Sequence, residues 1–342
     1  MTLFLLLSTF IWAEEDHHAT TTWNFIDEGH RTISKKLFQW ADELDETISG
    51  WMQQNQCQTS PQTLPLKTQN GQGSIDTFFQ SDKYLNETDD TYIRFRIDSL
   101  LRSKNSHSVN LKVSAQLPFV KCRQSFRFFI EDTPFEDTRH MPENPEDDES
   151  NVGINYFPPK KHHIISKYSV GLSGLDPYVS ARYDRLFQYG DWRIDPVQLF
   201  KYSVDDKFEE ETNIYFDTNL DEASLFRLQL HRKTQTDVDG MDYALGLHYY
   251  WSPDASHGLD VGMFFEGNTE YSYTADIDTP QAHLESYSGI NHYSLSIGWR
   301  ASVWRDWFFY EITPQVHFRR KYDYDPDYAL RFYLDFYFDQ HR

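Results

Sequence analysis

The sequence predicts an all-β protein: a transmembrane antiparallel β-barrel of about fourteen strands with a short N-terminal amphipathic helix. Three observations carry that prediction. The last third of the chain is a row of ten-residue stretches that alternate apolar and polar. The joints between stretches alternate in length. No run of 18 apolar residues follows the N-terminus, so no helical span accounts for the apolar residues. The clearest stretch is the last, "ALRFYLDFYF". Leu330, Phe332, Leu334, Phe336 and Phe338 fall on one face; Arg331, Tyr333, Asp335 and Tyr337 fall on the other. Successive side chains of a strand point to opposite faces, so one face is apolar and the other polar. A soluble sheet protein buries its apolar faces in a shared core. A membrane barrel turns them to lipid and keeps the polar ones in its lumen.

The composition is compatible with a barrel. The 342 residues are 17% aromatic and carry a formal net charge of -21. That length suits one large barrel or two ordinary domains. The mean hydropathy of -0.69 does not oppose a barrel, because polar lumen and loop residues offset the lipid face. The net charge opposes nucleic-acid binding, and no basic patch or Gly-rich phosphate loop appears. The sequence implies no cofactor and no metal. The adjacent pairs His17–His18 and His162–His163 face apart on a strand and make no chelate.

The N-terminus, "MTLFLLLSTFIWAEEDHH", resembles a secretory signal peptide: Leu3 to Trp12 is apolar and Ala13 is a suitable last residue, although no Lys or Arg precedes the run. The expected organisation is a signal peptide at 1–13, a periplasmic helix and linker at 14–75, and the barrel at 76–342. Ile26, Ile33, Leu37, Trp40, Leu44, Ile48 and Trp51 recur at spacings of three and four, which predicts one apolar stripe on a helix. That helix could plug the barrel, lie beneath its periplasmic mouth, or pair with a second copy. Residues Gln53 to Gly73 read as a linker. Cys57 and Cys122 are the two cysteines, and in an exported protein such a pair usually closes a disulfide. The bridge would close a loop of about 65 residues, worth ~4 kcal/mol on the chain-entropy argument.

Strands follow in order. "TYIRFRIDSLL" turns Ile93, Phe95 and Ile97 outward; "HSVNLKVSAQL" does the same with Val109, Leu111 and Val113; "SFRFFIE" with Phe126, Phe128 and Ile130. Further candidates run near Val152–Phe157, Ile164–Leu175, Tyr178–Gln188, Trp192–Val204, Thr212–Leu220, Ala223–Thr234 and Asp242–Trp251. The last four run near Leu259–Asn268, Tyr287–Ser302, Trp307–Phe318 and Ala329–Phe338. Bacterial barrels close with an even number of strands; twelve is the alternative, because Val152 to Val204 is weakly patterned. Joints after odd strands (Asp132–Ser150, Asp205–Glu211, Gln235–Asp239, Thr269–Ser286, Arg319–Asp327) include the longest and most acidic ones. Joints after even strands are short: Pro118–Cys122, Pro158–Lys161, Tyr189–Asp191, Asn219–Glu222 and Val303–Asp306. Long outer loops and short periplasmic turns are the asymmetry of a barrel. The short Gly174–Pro177 joint is the exception. Trp192, Trp251, Trp299, Trp304 and Trp307 near strand ends suit interface girdles.

The runs "GSIDTFFQSDKYLNETDDTYIRFRI" and "WFFYEITPQVHFRRKYDYDPDYALRFYLDFYF" resemble the start and end of an uncharacterised outer-membrane β-barrel family of Gram-negative bacteria. The resemblance implies the fold, the outer membrane as location, and contact with its lipid and lipopolysaccharide. Phe336 and Phe338 resemble the aromatic signal read by the outer-membrane assembly machinery, although Asp339 to Arg342 follow the last aromatic here. The resemblance implies no activity and no oligomeric state.

The predicted lumen face carries Arg94, Arg96, Asp98, Lys112, Arg127, Arg182, Asp184, Arg227, Asp260, Glu266, Arg300, Glu311, Arg331 and Asp335. Two readings follow. One is a passive or gated pore for small polar solutes, with charge rows that order water and select ions. The other is a closed structural or envelope-interaction barrel stiffened by internal salt bridges. The His-x-Ser pair of His292 and Ser294 resembles that of outer-membrane lipid deacylases, which gives a third reading, a lipid deacylase. His292 and Ser294 share a strand face, where an imidazole activates a hydroxyl, and Glu311 on the next strand could orient the His. The phase of Tyr293, Leu295, Ile297 and Trp299 turns the pair away from lipid, and Leu295 stands where those enzymes often have Asn. The acidic run "ENPEDDES" matches no calcium-loop spacing.

Overall fold

The computed structural model of the chain describes residues 27–36, 39, 43, 75, 78–79, 92–104, 106–118, 126–131, 150–236, 238–275, 283–302 and 305–338. The chain forms two compact units, Met1–Gln53 and Gln54–Arg342. In the first, residues 27–36 are helical, inside the stretch where the apolar stripe predicts a helix. The expected signal peptide, Cys57 and Cys122 lie outside the described residues, as do Trp304 and most of the Asp132–Ser150 joint.

The second unit is a sheet of β1 (Tyr92–Arg102), β2 (Ser108–Pro118), β3 (Phe126–Glu131), β4 (Asn151–Tyr156), β5 (Ile165–Ser173), β6 (Asp176–Asp184), β7 (Phe187–Tyr189), β8 (Trp192–Ser203), β9 (Phe208–Asn219), β10 (Ser224–Gln235), β11 (Asp242–Trp251), β12 (His257–Ala275), β13 (His283–Ser302), β14 (Phe308–Arg319) and β15 (Pro326–Phe338). Chain neighbours pair antiparallel, except that β6 and β7 both pair with β8, and β1 pairs β15 from Ile93↔Phe338 to Arg102↔Ala329. That last ladder closes the barrel.

The strand β7 continues β6. Asp184↔Val197 and Phe187↔Ile194 lie on one register against β8. The ladder thins between them because Pro196 has no N–H to donate, although Arg185 N still donates to the Pro196 carbonyl at 3.3 Å. Counted as one strand, the pair makes the barrel fourteen-stranded among the described residues, as the alternation predicts. Every predicted strand has its counterpart. One joint differs: the expected outer loop Thr269–Ser286 is mostly strand, since β12 runs to Ala275 and β13 starts at His283. The Tyr/Thr-rich "EYSYTA" suits a two-stranded ribbon, and Tyr271↔Tyr287 to Ala275↔His283 continue the ladder past two bulges. The remaining joints are short at both ends, so the expected asymmetry rests on 132–150 and this projecting hairpin. Below, the end with Tyr92 and Phe338 is the terminal end; the other is the hairpin end.

The wall is apolar outside and charged inside. Along β15, Asp327, Ala329, Arg331, Tyr333, Asp335 and Tyr337 are buried, whereas Tyr328 and Leu330 are exposed. On β2, Val109 is 71% and Leu111 68% exposed. Val170, Val179 and Ile297 are also exposed, while Arg300, Asp217 and Arg227 are almost wholly covered. A soluble fold would invert this. It is the distribution of a barrel that crosses a bilayer. Trp192, Trp251, Trp299 and Trp307 all lie at the terminal end, where His257 stacks on Trp299 at 5.7 Å.

Ile297 tests the lipid face. It sits mid-wall, opposite Val261. Ile297→Arg is expected to destabilise the inserted barrel by about 2–4 kcal/mol, the cost of a cation near the bilayer midplane. Urea titration of folding into vesicles measures it, and an unchanged midpoint would remove Ile297 from the lipid-facing set.

Candidate functional site: a charged interior and an aromatic seat

Inward side chains of β1, β13, β14 and β15 converge on Asp335, which is 0% exposed. Arg96 grips it with both prongs: Nε to Oδ1 at 2.6 Å and Nη2 to Oδ2 at 2.8 Å. Arg300 Nη1 donates to Oδ2 at 2.7 Å and to Glu311 Oε2 at 3.3 Å. Arg300 Nη2 donates to the Tyr337 hydroxyl at 3.0 Å. The register places these groups: Arg96 lies opposite Asp335, and Arg300 opposite Glu311. One step toward the hairpin end, Arg331 grips Asp98 at 3.1 and 2.7 Å, and Lys112 approaches Asp98 at 3.8 Å. Tyr333 lies between the two knots, with Arg96 4.1 Å and Arg331 5.0 Å from its ring centre.

The other predicted lumen charges are also covered. Arg227 grips Asp217 at 2.7 and 2.9 Å, and Arg193 reaches the same carboxylate at 3.2 Å. Arg182 donates to Asp184 at 2.7 Å. Arg127 is buried and donates to the Phe126 carbonyl at 3.1 Å. His248 Nδ1 lies 3.6 Å from Asp260. Charge-assisted, two-pronged pairs of this kind are the stronger class of hydrogen bond.

At the terminal end the interior holds a segment that precedes the barrel strands. Ile75, Phe78 and Phe79 are buried in one cluster with Leu225, Tyr250, Phe309 and Tyr337, and Trp307 packs against it. Phe78 meets Phe309 edge-on at 6.0 Å, and Phe79 lies 5.1 Å from Tyr250. The Phe78 carbonyl accepts from Arg300 Nε at 3.1 Å. Gly258 leaves the room: a Cβ there would lie 2.7 Å from Phe78 Cε1 and 2.8 Å from Phe79 Cζ. The adjoining turn is fixed by Asp254, which accepts from Ser256 Oγ at 2.6 Å and Ser256 N at 2.7 Å. Those hydrogen bonds hold the Asp254 carboxyl below the usual carboxylate range. Burying each Phe contributes roughly 1.5–3 kcal/mol to keeping the segment in place.

This seat is absent from the sequence expectations, which begin the barrel at 76 and its strands near 91. The signal was present in the spacing: Ile75, Phe78 and Phe79 stand at i, i+3 and i+4, the pattern of one helical face.

The enzyme-like constellation does not assemble. His292 Nδ1 lies 2.9 Å from Glu266 Oε2, and His292 Nε2 lies 3.1 Å from His317 Nδ1. Ser294 is opposite His317. Glu311 is opposite Arg300, eight residues along β13 from His292, which at strand rise is roughly 26 Å. Glu311 therefore cannot orient His292: the β13–β14 ladder sets Arg300, not His292, level with it. Phe336 lies 4.9 Å from Phe308, and Phe338 meets Phe95 edge-on at 5.5 Å. Both sit on the β15 seam that closes the barrel.

No protein-family model matches the chain, and no curated protein matches it. Among solved structures, it is similar to a loop L8 deletion mutant of OmpT, an outer membrane protein of Vibrio cholerae. Identity is 8%, the match covers 72% of this chain and 98% of that one, and the TM-score is 0.45. It is also similar to OccK11 (OpdR) of Pseudomonas aeruginosa, at 8% identity, 72% and 95% coverage and a TM-score of 0.41. A third is the KdgM porin in complex with disordered oligogalacturonate, at 6% identity, 72% and 98% coverage and a TM-score of 0.34.

Proposed function

We propose that this chain is an outer-membrane barrel that passes small polar solutes, and that the segment carrying Ile75, Phe78 and Phe79 closes its terminal mouth. The apolar outer face and charged interior support the membrane part of that reading. The single observation that carries the gate is the seat: a segment that precedes the wall strands packs against aromatic side chains from β11, β14 and β15. A polar pathway blocked by an apolar patch opens when the patch leaves, since a wetted channel needs a polar lining throughout. With the chain's start on the periplasmic side, the gate faces the periplasm. A passive pore is the simpler form of the same reading.

The dense pairing around Asp335, Asp98 and Asp217 favours the runner-up, a closed barrel with a structural or envelope-interaction role. Single-channel recording of the refolded barrel in a planar bilayer separates the two. Wild type is expected to show rare or small steps. Phe78→Ala with Phe79→Ala is expected to show larger and longer ones. Silence from a well-folded double variant would leave only the closed barrel. The deacylase reading is disfavoured, because His292 faces Glu266 with Nδ1 and His317 with Nε2, which leaves no ring nitrogen for Ser294.

A further inference from the structure

We propose that Arg94 and Ser114 form a binding site for one small oxyanion, a carboxylate or phosphate group, inside the barrel beside the aromatic seat. Arg94 is two residues along β1 from Arg96 and on the same face. Its register partners are Ser114 on β2 and Tyr337 on β15. It is 2% exposed. Its Nη2 donates to Ser114 Oγ at 3.1 Å, and among the described residues its Nε and Nη1 have no hydrogen-bond partner.

That is an unusual state for a buried guanidinium. Arginine cannot shed its proton in a protein, and an uncompensated charge out of water is costly. Arg96, Arg227 and Arg331 avoid the problem in one way: each places Nε and Nη2 on a single carboxylate, Asp335, Asp217 and Asp98 respectively. Among the described residues no carboxylate stands opposite Arg94. The Asp335 carboxylate acts on it electrostatically, but both Asp335 oxygens already accept from Arg96 and Arg300. Arg94, Arg96 and Arg300 all act on Asp335, and among the described residues Arg300 also reaches Glu311.

The missing partner is an anion, and the donors define its shape. Whichever Nη2 hydrogen Ser114 takes, the other lies parallel to a free N–H, that of Nη1 or that of Nε, so the group presents two parallel N–H bonds. That spacing matches the two oxygens of a carboxylate or phosphate. Ser114 accepts from Arg94 and keeps its own O–H to donate to the same group. Tyr337 belongs both to the Arg94 register and to the seat of Phe78 and Phe79, so the bound group would lie next to the gate. Calling that group part of a passing solute rests on the pore reading; the site itself does not.

The test uses the full refolded chain in detergent micelles. Thermal unfolding is followed against sodium phosphate and sodium acetate, with sodium chloride at matched ionic strength as the reference. Wild type is expected to be stabilised saturably by the oxyanions. Arg94→Gln is expected to weaken the apparent affinity roughly tenfold or more, the scale of one charge-assisted hydrogen bond. Ser114→Ala removes a neutral partner, keeps the charge, and decides the matter if Arg94→Gln fails to fold; a severalfold loss is expected. Phosphate without acetate would identify a phosphoryl group as the ligand; both would identify any oxyanion-bearing molecule. Equal responses from wild type and both variants, or chloride matching the oxyanions, would overturn the site. A barrel that never conducts yet shows Arg94-dependent stabilisation keeps the site and sinks the pore.

Discussion

Asp335→Ala is expected to destabilise the folded barrel by about 3–5 kcal/mol, the cost of removing one member of a buried ion-paired group. The reason is what it leaves behind. Arg96 loses its two-pronged partner, Arg300 loses its 2.7 Å contact, and Tyr337 loses an acceptor at 3.4 Å. None can move to water, because Arg96 and Arg300 are both covered and Arg300 is also tied to Glu311 and to the Phe78 carbonyl. Asp335→Asn keeps the shape and an acceptor oxygen, so it should fall between the variant and wild type. The measurement is the urea midpoint for folding into lipid vesicles, read by the heat-dependent shift on a gel. A wild-type midpoint for Asp335→Ala would mean that water fills the network and that the interior is far wetter than its geometry implies. The outcome therefore also bears on whether the barrel is open or closed.

Much of this was legible in the sequence, for one physical reason. A strand period of two sends each residue to one face, so Leu334 and Phe336 must face away from Asp335 and Tyr337 whatever the register. That suffices to read the wall and to find the interior charges. It does not show which charges meet. Arg96 and Asp335 are 239 residues apart, and only the β1–β15 seam brings them opposite. The same lack of register misled the placing of Glu311 beside His292. Pro196 hid in a weakly patterned stretch and split one strand into β6 and β7. The projecting hairpin read as a loop because polar Tyr, Ser and Thr serve a solvated ribbon as well as a loop. The seat was missed for the opposite reason: Ile75, Phe78 and Phe79 are too few to declare a helix, and their partners come from strands far along the chain.

Gly258→Ala should unseat the segment from the wall side without changing its sequence. The new Cβ would stand 2.7 Å from Phe78 Cε1, 2.8 Å from Phe79 Cζ and 2.9 Å from the Trp251 carbonyl oxygen. Real Cβ atoms do not approach so closely, so something must give. Trp251 belongs to the wall ladder, opposite Leu259 and Ser224, and is held on both sides. Among the described residues, Phe78 and Phe79 are held by ring packing and the Phe78 carbonyl contact rather than by a wall ladder, so they should move first. Gly258 has no left-handed φ to protect, and alanine adds no backbone strain there. Overpacking costs about 1–3 kcal/mol, which shifts the seated population roughly 5- to 150-fold. The expected result is longer open times than wild type, approaching those of the Phe78→Ala, Phe79→Ala variant. Added to that variant, Gly258→Ala should lengthen the open times no further, because the rings it strikes are gone and only the 2.9 Å approach to the Trp251 carbonyl remains. This non-additivity marks a direct contact. Wild-type gating from Gly258→Ala, beside an opened double variant, would show that the rings act elsewhere than at this wall.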